Sequence, residues 1–118
     1  MTLLEKQQLF PRLFATLVDY CMDRGYQLTL GETYRPNETA ELYAKQGKGI
    51  ANSLHRIRLA VDINLFKDGV FLTKSEDYAV VGSFWKGLSV PGEYECAWGG
   101  DFVRPDGNHL SIEHSGVR

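Results

Sequence analysis

Residues 53–62 read SLHRIRLAVD, from Ser53 to Asp62. A histidine and an aspartate seven positions apart stand at the start of the apolar, β-branched run IRLAVDINLF. That run reads as a central strand over 57–66, and the KDG that follows turns it back into VFL as a hairpin. The pattern changes on both sides of the hairpin. Upstream, Leu9, Phe10, Leu13, Phe14, Leu17, Val18 and Cys21 recur at helical spacing, with Pro11 expected in the first turn and Gly25 as the stop. YQLTL then alternates as a strand, and PNETAELYAKQG is a short helix opened by Pro36 and closed by Gly47. Downstream, Thr73 and Glu76 predict a capping box for a third helix carrying Tyr78, Val81, Trp85 and Leu88 on one face. Two short strands are expected near Tyr94–Trp98 and His109–Glu113. Helices and antiparallel strands that alternate in this order predict an α+β fold: a small antiparallel sheet with about three helices.

The bulk properties bound the rest. With 118 residues, 43% of them hydrophobic, the chain supports one core, and residues 1–118 are expected to form a single catalytic domain. A net charge of −2 argues against nucleic acid as a partner. No segment approaches the roughly 20 apolar residues of a membrane span, so no membrane insertion is expected. MTLLEKQQLF has neither a basic n-region nor an apolar h-region, which predicts a protein kept in the cytoplasm. Cys21 and Cys96 are 75 positions apart and are expected to be two buried thiols.

The chemistry rests on three histidines, His55, His109 and His114. A catalytic zinc site needs three protein ligands and one open position. His55, Asp62 and His109 supply such a set and leave Asp106, in the DGNH stretch, as a free carboxylate three residues before a ligand. Zinc lowers the pKa of bound water from about 16 toward about 7, and a nearby carboxylate can move the proton. Spacing alone leaves a second reading open, in which the histidine is a surface residue that never meets the aspartate. His114 is a rival third ligand, but Asp106 does not stand in the D-x-x-H relation to it.

SLHRIRLAVD resembles the S-x-H-x-x-G-x-A-x-D motif of the zinc DD-peptidase family, with Ser53, His55, Ala60 and Asp62 in register. This family of hedgehog/DD-peptidase fold comprises D-alanyl-D-alanine carboxypeptidases, related dipeptidases and the L-alanyl-D-glutamate endopeptidases used as phage endolysins. ETYRPNETAELYAKQG is similar to its G-Y-R-(x)-E-Q-A-x-L-Y-x-x-G block at Tyr34, Arg35, Glu38, Ala40, Leu42, Tyr43 and Gly47. WGGDF, Trp98 to Phe102, followed by Asp106 and His109, is similar to the endolysin branch. The resemblance implies Zn2+ held by His55, Asp62 and His109, Asp106 as general base and acid, and Arg35 steadying the carbonyl oxygen. Ser53 is implied as a substrate contact. Trp98 is expected either in a cleft wall or as a core indole. Arg58 replaces the motif glycine; on an alternating strand it would share the face of Ala60 and Asp62, crowding the cleft, pairing with a carboxylate or binding an anionic substrate group. Thr39 replaces the glutamine of the upstream block, and Ser111 an acidic or amide residue two after the third ligand.

The implied activity is hydrolysis of an amide bond in peptidoglycan stem peptides, L-alanyl-D-glutamate first. The implied setting is a monomer that waits in the cytoplasm of the producing bacterial cell and lyses the wall after release. The alternatives are a D-alanyl-D-alanine carboxypeptidase, with Arg58 as a carboxylate pocket, and a catalytically silent, zinc-containing wall-binding module.

Overall fold

A computed structural model describes residues 1–118. Its elements run α1 (Leu3–Asp23), β1 (Tyr26–Leu30), α2 (Asn37–Lys45), β2 (Ala60–Lys67), β3 (Val70–Phe71), α3 (Ala79–Gly87), β4 (Cys96–Trp98) and β5 (His109–Ile112). The fold is α+β, with three helices and a five-stranded antiparallel sheet. No helix is long and apolar enough to cross a membrane.

Helix α1 starts well before Pro11. Thr2 Oγ1 accepts from the Glu5 N–H at 3.1 Å and Glu5 Oε1 accepts from the Thr2 N–H at 2.8 Å, so a capping box nucleates the helix at Leu3. Pro11 therefore lies inside the helix, not in its first turn, and is exposed. It forfeits one N–H, the one that would have met the Gln7 carbonyl, and the capped turns on either side carry the helix past it. Phe10, Leu13, Leu17 and Cys21 form the buried stripe.

The strands stack in the order β1-β2-β5-β4, and β3 closes a hairpin on the end of β2. That hairpin turns at Asp68 and Gly69, both with positive φ (51° and 77°), the conformation of a tight two-residue turn. Along β2 burial alternates: Val61, Ile63 and Leu65 enter the core, while Asp62 and Asn64 are half-buried on the other face. On β5, Leu110 and Ile112 join them. Trp85 of α3 is fully buried in this core, and its Nε1–H donates to the Ser111 carbonyl at 3.0 Å. The sheet thus spends one face on the core and leaves the other free to display polar side chains.

Other boundaries also differ from the sequence expectation. β2 begins at Ala60, because residues Leu54–Ile57 form a 3-10 turn. The third helix is preceded by a 3-10 turn, Ser75–Tyr78, whose cap is the Lys74 N–H donating to Asp77 Oδ2 at 3.3 Å, one residue beyond the Thr73–Glu76 pair. β4 is shorter than Tyr94–Trp98, since Tyr94 makes only an isolated bridge to Val90. Cys21 and Cys96 are buried free thiols.

Candidate metal centre and active-site cleft

Two of the polar side chains on the open face meet because their strands are paired. Asp62 and His109 are direct cross-strand partners in the β2–β5 ladder, so both project from the same face at the same level. His55 arrives from the 3-10 turn before β2, which Ser53 caps: its Oγ accepts from the His55 N–H at 3.2 Å. His55 Nε2 lies 3.3 Å and His109 Nδ1 3.6 Å from Asp62 Oδ1. The imidazole rings stand edge to face with centroids 5.3 Å apart.

These three residues have ligand atoms within 4.8 Å of one another. A tetrahedral ion with arms of about 2.0–2.1 Å requires ligand atoms about 3.4 Å apart, close to the two separations around Asp62. Neither imidazole makes a well-aligned hydrogen bond to Asp62, and Oδ1 is buried without a donor. An orphaned carboxylate oxygen between two ring nitrogens is costly in an ion-free protein and ordinary in a metal site. The opposite nitrogen of His55, Nδ1, sits 3.1 Å from the Thr33 carbonyl, the outer partner that fixes which ring nitrogen offers its lone pair. His109 Nε2 has no such partner. Two nitrogens and one oxygen, nearly closed to solvent, fit a borderline divalent ion such as zinc.

The electrostatics are strongly coupled. Burial alone would raise the Asp62 pKa, but the His109 and His55 imidazoles outweigh it and hold the carboxyl down at about 2. Burial pulls His55 down, and the Asp62 carboxylate 3.3 Å from its Nε2, aided by the Thr33 carbonyl, reverses the sign and raises it. Asp106 is exposed as a residue, yet the cleft walls desolvate its carboxyl enough to raise its pKa, and the Asp62 charge adds to the rise.

The cleft around these groups encloses about 430 Å³, and its lining includes Ser53, His55, Asp62, Asp106, His109 and Arg35. Arg35 is tied in place: its guanidinium pairs with Glu32, Nε donating to Oε1 at 2.7 Å, and it stacks 5.0 Å from the Tyr43 ring centroid. Its backbone N–H donates to the His55 carbonyl at 3.1 Å, so the two stretches of chain arrive as a unit.

Asp106 is held by a different device. Its N–H donates to the Gly99 carbonyl at 2.9 Å, and its own carbonyl accepts the His109 N–H at 3.0 Å. A side chain at Gly99 would overlap the Asp106 carbonyl oxygen and come within 2.8 Å of His109 Cβ. Glycine here lets the turn after β4 press against the loop that carries both residues.

Two residues expected at the site lie elsewhere. Trp98 is 9% exposed and absent from the cleft wall: its Nε1–H donates to the Gly107 carbonyl at 2.7 Å, and its ring fills the space beside Gly82 and Gly100. It is the core indole of the two readings, and it supports the loop bearing Asp106. Arg58 does not share the face of Asp62, because it precedes the strand in the left-handed region (φ 59°) as the cap of the 3-10 turn. It stacks 4.1 Å from the Tyr34 ring centroid, outside the cleft, in a groove with Phe10 and Phe14. A positive φ is a conformation that glycine adopts freely, so the backbone here suits the glycine of the motif that this stretch resembles. His114 is also remote from the cluster, its Nδ1 3.3 Å from Lys6 Nζ.

The sequence reading missed Glu32, Lys48, Arg104 and Arg118. Glu32 and Arg35, three apart, carry a recognisable ion-pair spacing. The other three are isolated cations in loops, with no periodicity to single them out.

No family model matches this sequence, and no curated protein matches it. Among solved structures, the L-Ala D-Glu endopeptidase ChiX of Serratia marcescens is similar over 92% of this chain and 84% of its own, at 18% sequence identity and a TM-score of 0.69. The two proteins share a fold.

Proposed function

We propose that this protein is a zinc peptidase that hydrolyses an amide bond in peptidoglycan stem peptides, with L-alanyl-D-glutamate as the bond cleaved. The observation that carries the reading is the facing of Asp62 and His109 across β2 and β5 with His55 Nε2 at 3.3 Å, beside a free carboxylate and a fixed arginine in one cleft. The likeness in fold to an L-Ala D-Glu endopeptidase supports the choice of substrate.

His55, Asp62 and His109 would hold the ion. Zinc bound there supplies Lewis acidity, polarising an amide carbonyl and easing loss of a proton from water. Asp106 takes that proton on its carboxylate and delivers it to the departing amide nitrogen, and desolvation by the cleft walls raises its pKa, in the direction of a stronger base. Arg35, immobilised by Glu32 and Tyr43, offers positive charge to the oxygen that becomes negative as the carbonyl is attacked. Ser53 uses its oxygen to cap the His55 turn and keeps its hydroxyl proton for a substrate carbonyl. Residues 1–118 act as one catalytic domain and as a monomer.

Mass spectrometry of muropeptides from a wall digest, with and without chelator, tests the reading. New L-alanine carboxyl ends that vanish with chelator are expected. Loss of a single terminal alanine would instead mark a D-alanyl-D-alanine carboxypeptidase, an alternative weakened by the position of Arg58 outside the cleft. A zinc-loaded wild type that releases nothing would leave the silent wall-binding module. Asp106→Ala is expected to abolish release while retaining about one zinc per chain.

A further inference from the structure

Four of the chain's 13 lysines and arginines line one cleft: Arg35, Lys48, Arg104 and Arg118. Arg35 is paired with Glu32, but Lys48 and Arg104 make no ion pair: the molecule's only lysine or arginine ion pairs are Arg35–Glu32 and Lys86–Asp101. Against them the cleft wall offers two acids, Asp62 and Asp106, and Asp62 is already enclosed by the imidazoles. Lys48 and Arg104 thus share one wall with a single acid, Asp106, that no imidazole encloses. Low-dielectric walls focus such a field onto whatever enters.

We propose that Lys48 and Arg104 form an anion subsite that binds a free carboxylate next to the scissile amide, so that amidation of this carboxylate makes a stem peptide a poor substrate. The inference rests on the peptidase reading for the word substrate, and on the cleft alone for the preference. Its chemistry suits a glutamyl leaving group. Glutamate has two carboxyl groups and uses at most one to extend the chain, so an amide bond to its nitrogen carries a carboxylate nearby unless that group is blocked. A C-terminal D-alanine would present the same charge, and the two sources are separable.

The experiment uses zinc-loaded protein and two matched pairs of peptides. One pair holds L-Ala-D-Glu with the α-carboxyl free or as carboxamide; the other ends in D-Ala-D-Ala as acid or as amide. Hydrolysis and binding by calorimetry are both measured, in wild type and in the Lys48→Gln/Arg104→Gln double variant. The wild type is expected to favour the acid over the amide of one pair by about ten-fold or more in kcat/KM and in Kd, the effect of one charge-assisted hydrogen bond. The preference shrinks with added salt, and the double variant brings the ratio toward one. Which pair shows the preference identifies the carboxylate. Equal treatment of acid and amide in both pairs overturns the inference, as does a ratio that the double variant leaves unchanged. If no peptide is cut but the acid still binds better, the peptidase reading fails and the subsite stands.

Discussion

At the scale of single residues, Arg58 shows how a motif departure is absorbed. An L-residue in the left-handed region costs about 1 kcal/mol, and Arg58 recovers part of it by stacking on Tyr34. Arg58→Gly trades a lost stack for a relaxed backbone, so urea unfolding is expected to show a change within about 1 kcal/mol. Arg58→Val keeps the strain and adds β-branching, and is expected to cost about 1–3 kcal/mol. A glycine variant much less stable than wild type would mean that the stack, not the backbone, governs this position. The thiols make a second case. Burial pushes Cys21 up to about 11 and Cys96 up to about 12, so almost no thiolate exists at neutral pH. Neither is expected to react with a thiol-specific disulfide reagent in the native protein, and both should react on denaturation. Rapid native labelling of either would contradict the buried packing.

At the scale of elements, the turn after β4 is the part on which the site most depends. Gly99→Ala forces a methyl into the Asp106 carbonyl and toward His109, moving a proposed ligand and the proposed base together. Zinc affinity and hydrolysis are both expected to fall by about ten-fold or more. Gly87→Ala, at the end of α3 with open space around it, is the control and should leave both unchanged. This contrast also marks what the sequence can and cannot reveal. The stripes of α1 and the alternation of β2 are local patterns, visible without a fold. Three blocks resembling one peptidase family pointed at His55, Asp62, Asp106 and His109, but the β2–β5 register that joins Asp62 to His109 links positions 47 apart and has no local signal. Arg58 was misread because alternation was extended two residues before the strand begins, across a 3-10 turn. Trp98 remained ambiguous because an indole flanked by glycines looks the same in sequence whether the glycines clear a cleft or admit the ring to the core.

At the scale of the whole molecule, the site ties stability to metal and pH with a definite sign. In metal-free protein, Asp62 is held at about 2, below its unfolded value of 3.8, so its contribution is present above that value and is lost as pH falls toward 2. His55 is raised above 6.5, so its contribution is full below that value and disappears as pH rises through the folded pKa. The metal-free protein therefore loses this support in alkali. Zinc behaves oppositely: it needs a deprotonated imidazole, and protons compete with it in acid. The gap in melting temperature between zinc-loaded and chelated protein is accordingly expected to be small near pH 5.5 and to widen to about 10 °C near pH 8, the stabilisation given by a ligand at about 100 times its Kd. Calorimetric scans across that range measure it directly. A gap that stays constant, or is largest in acid, would mean that the ion stabilises the protein somewhere other than His55. His55→Ala separates the cases, since the gap should collapse at every pH if the imidazole is where proton and metal compete.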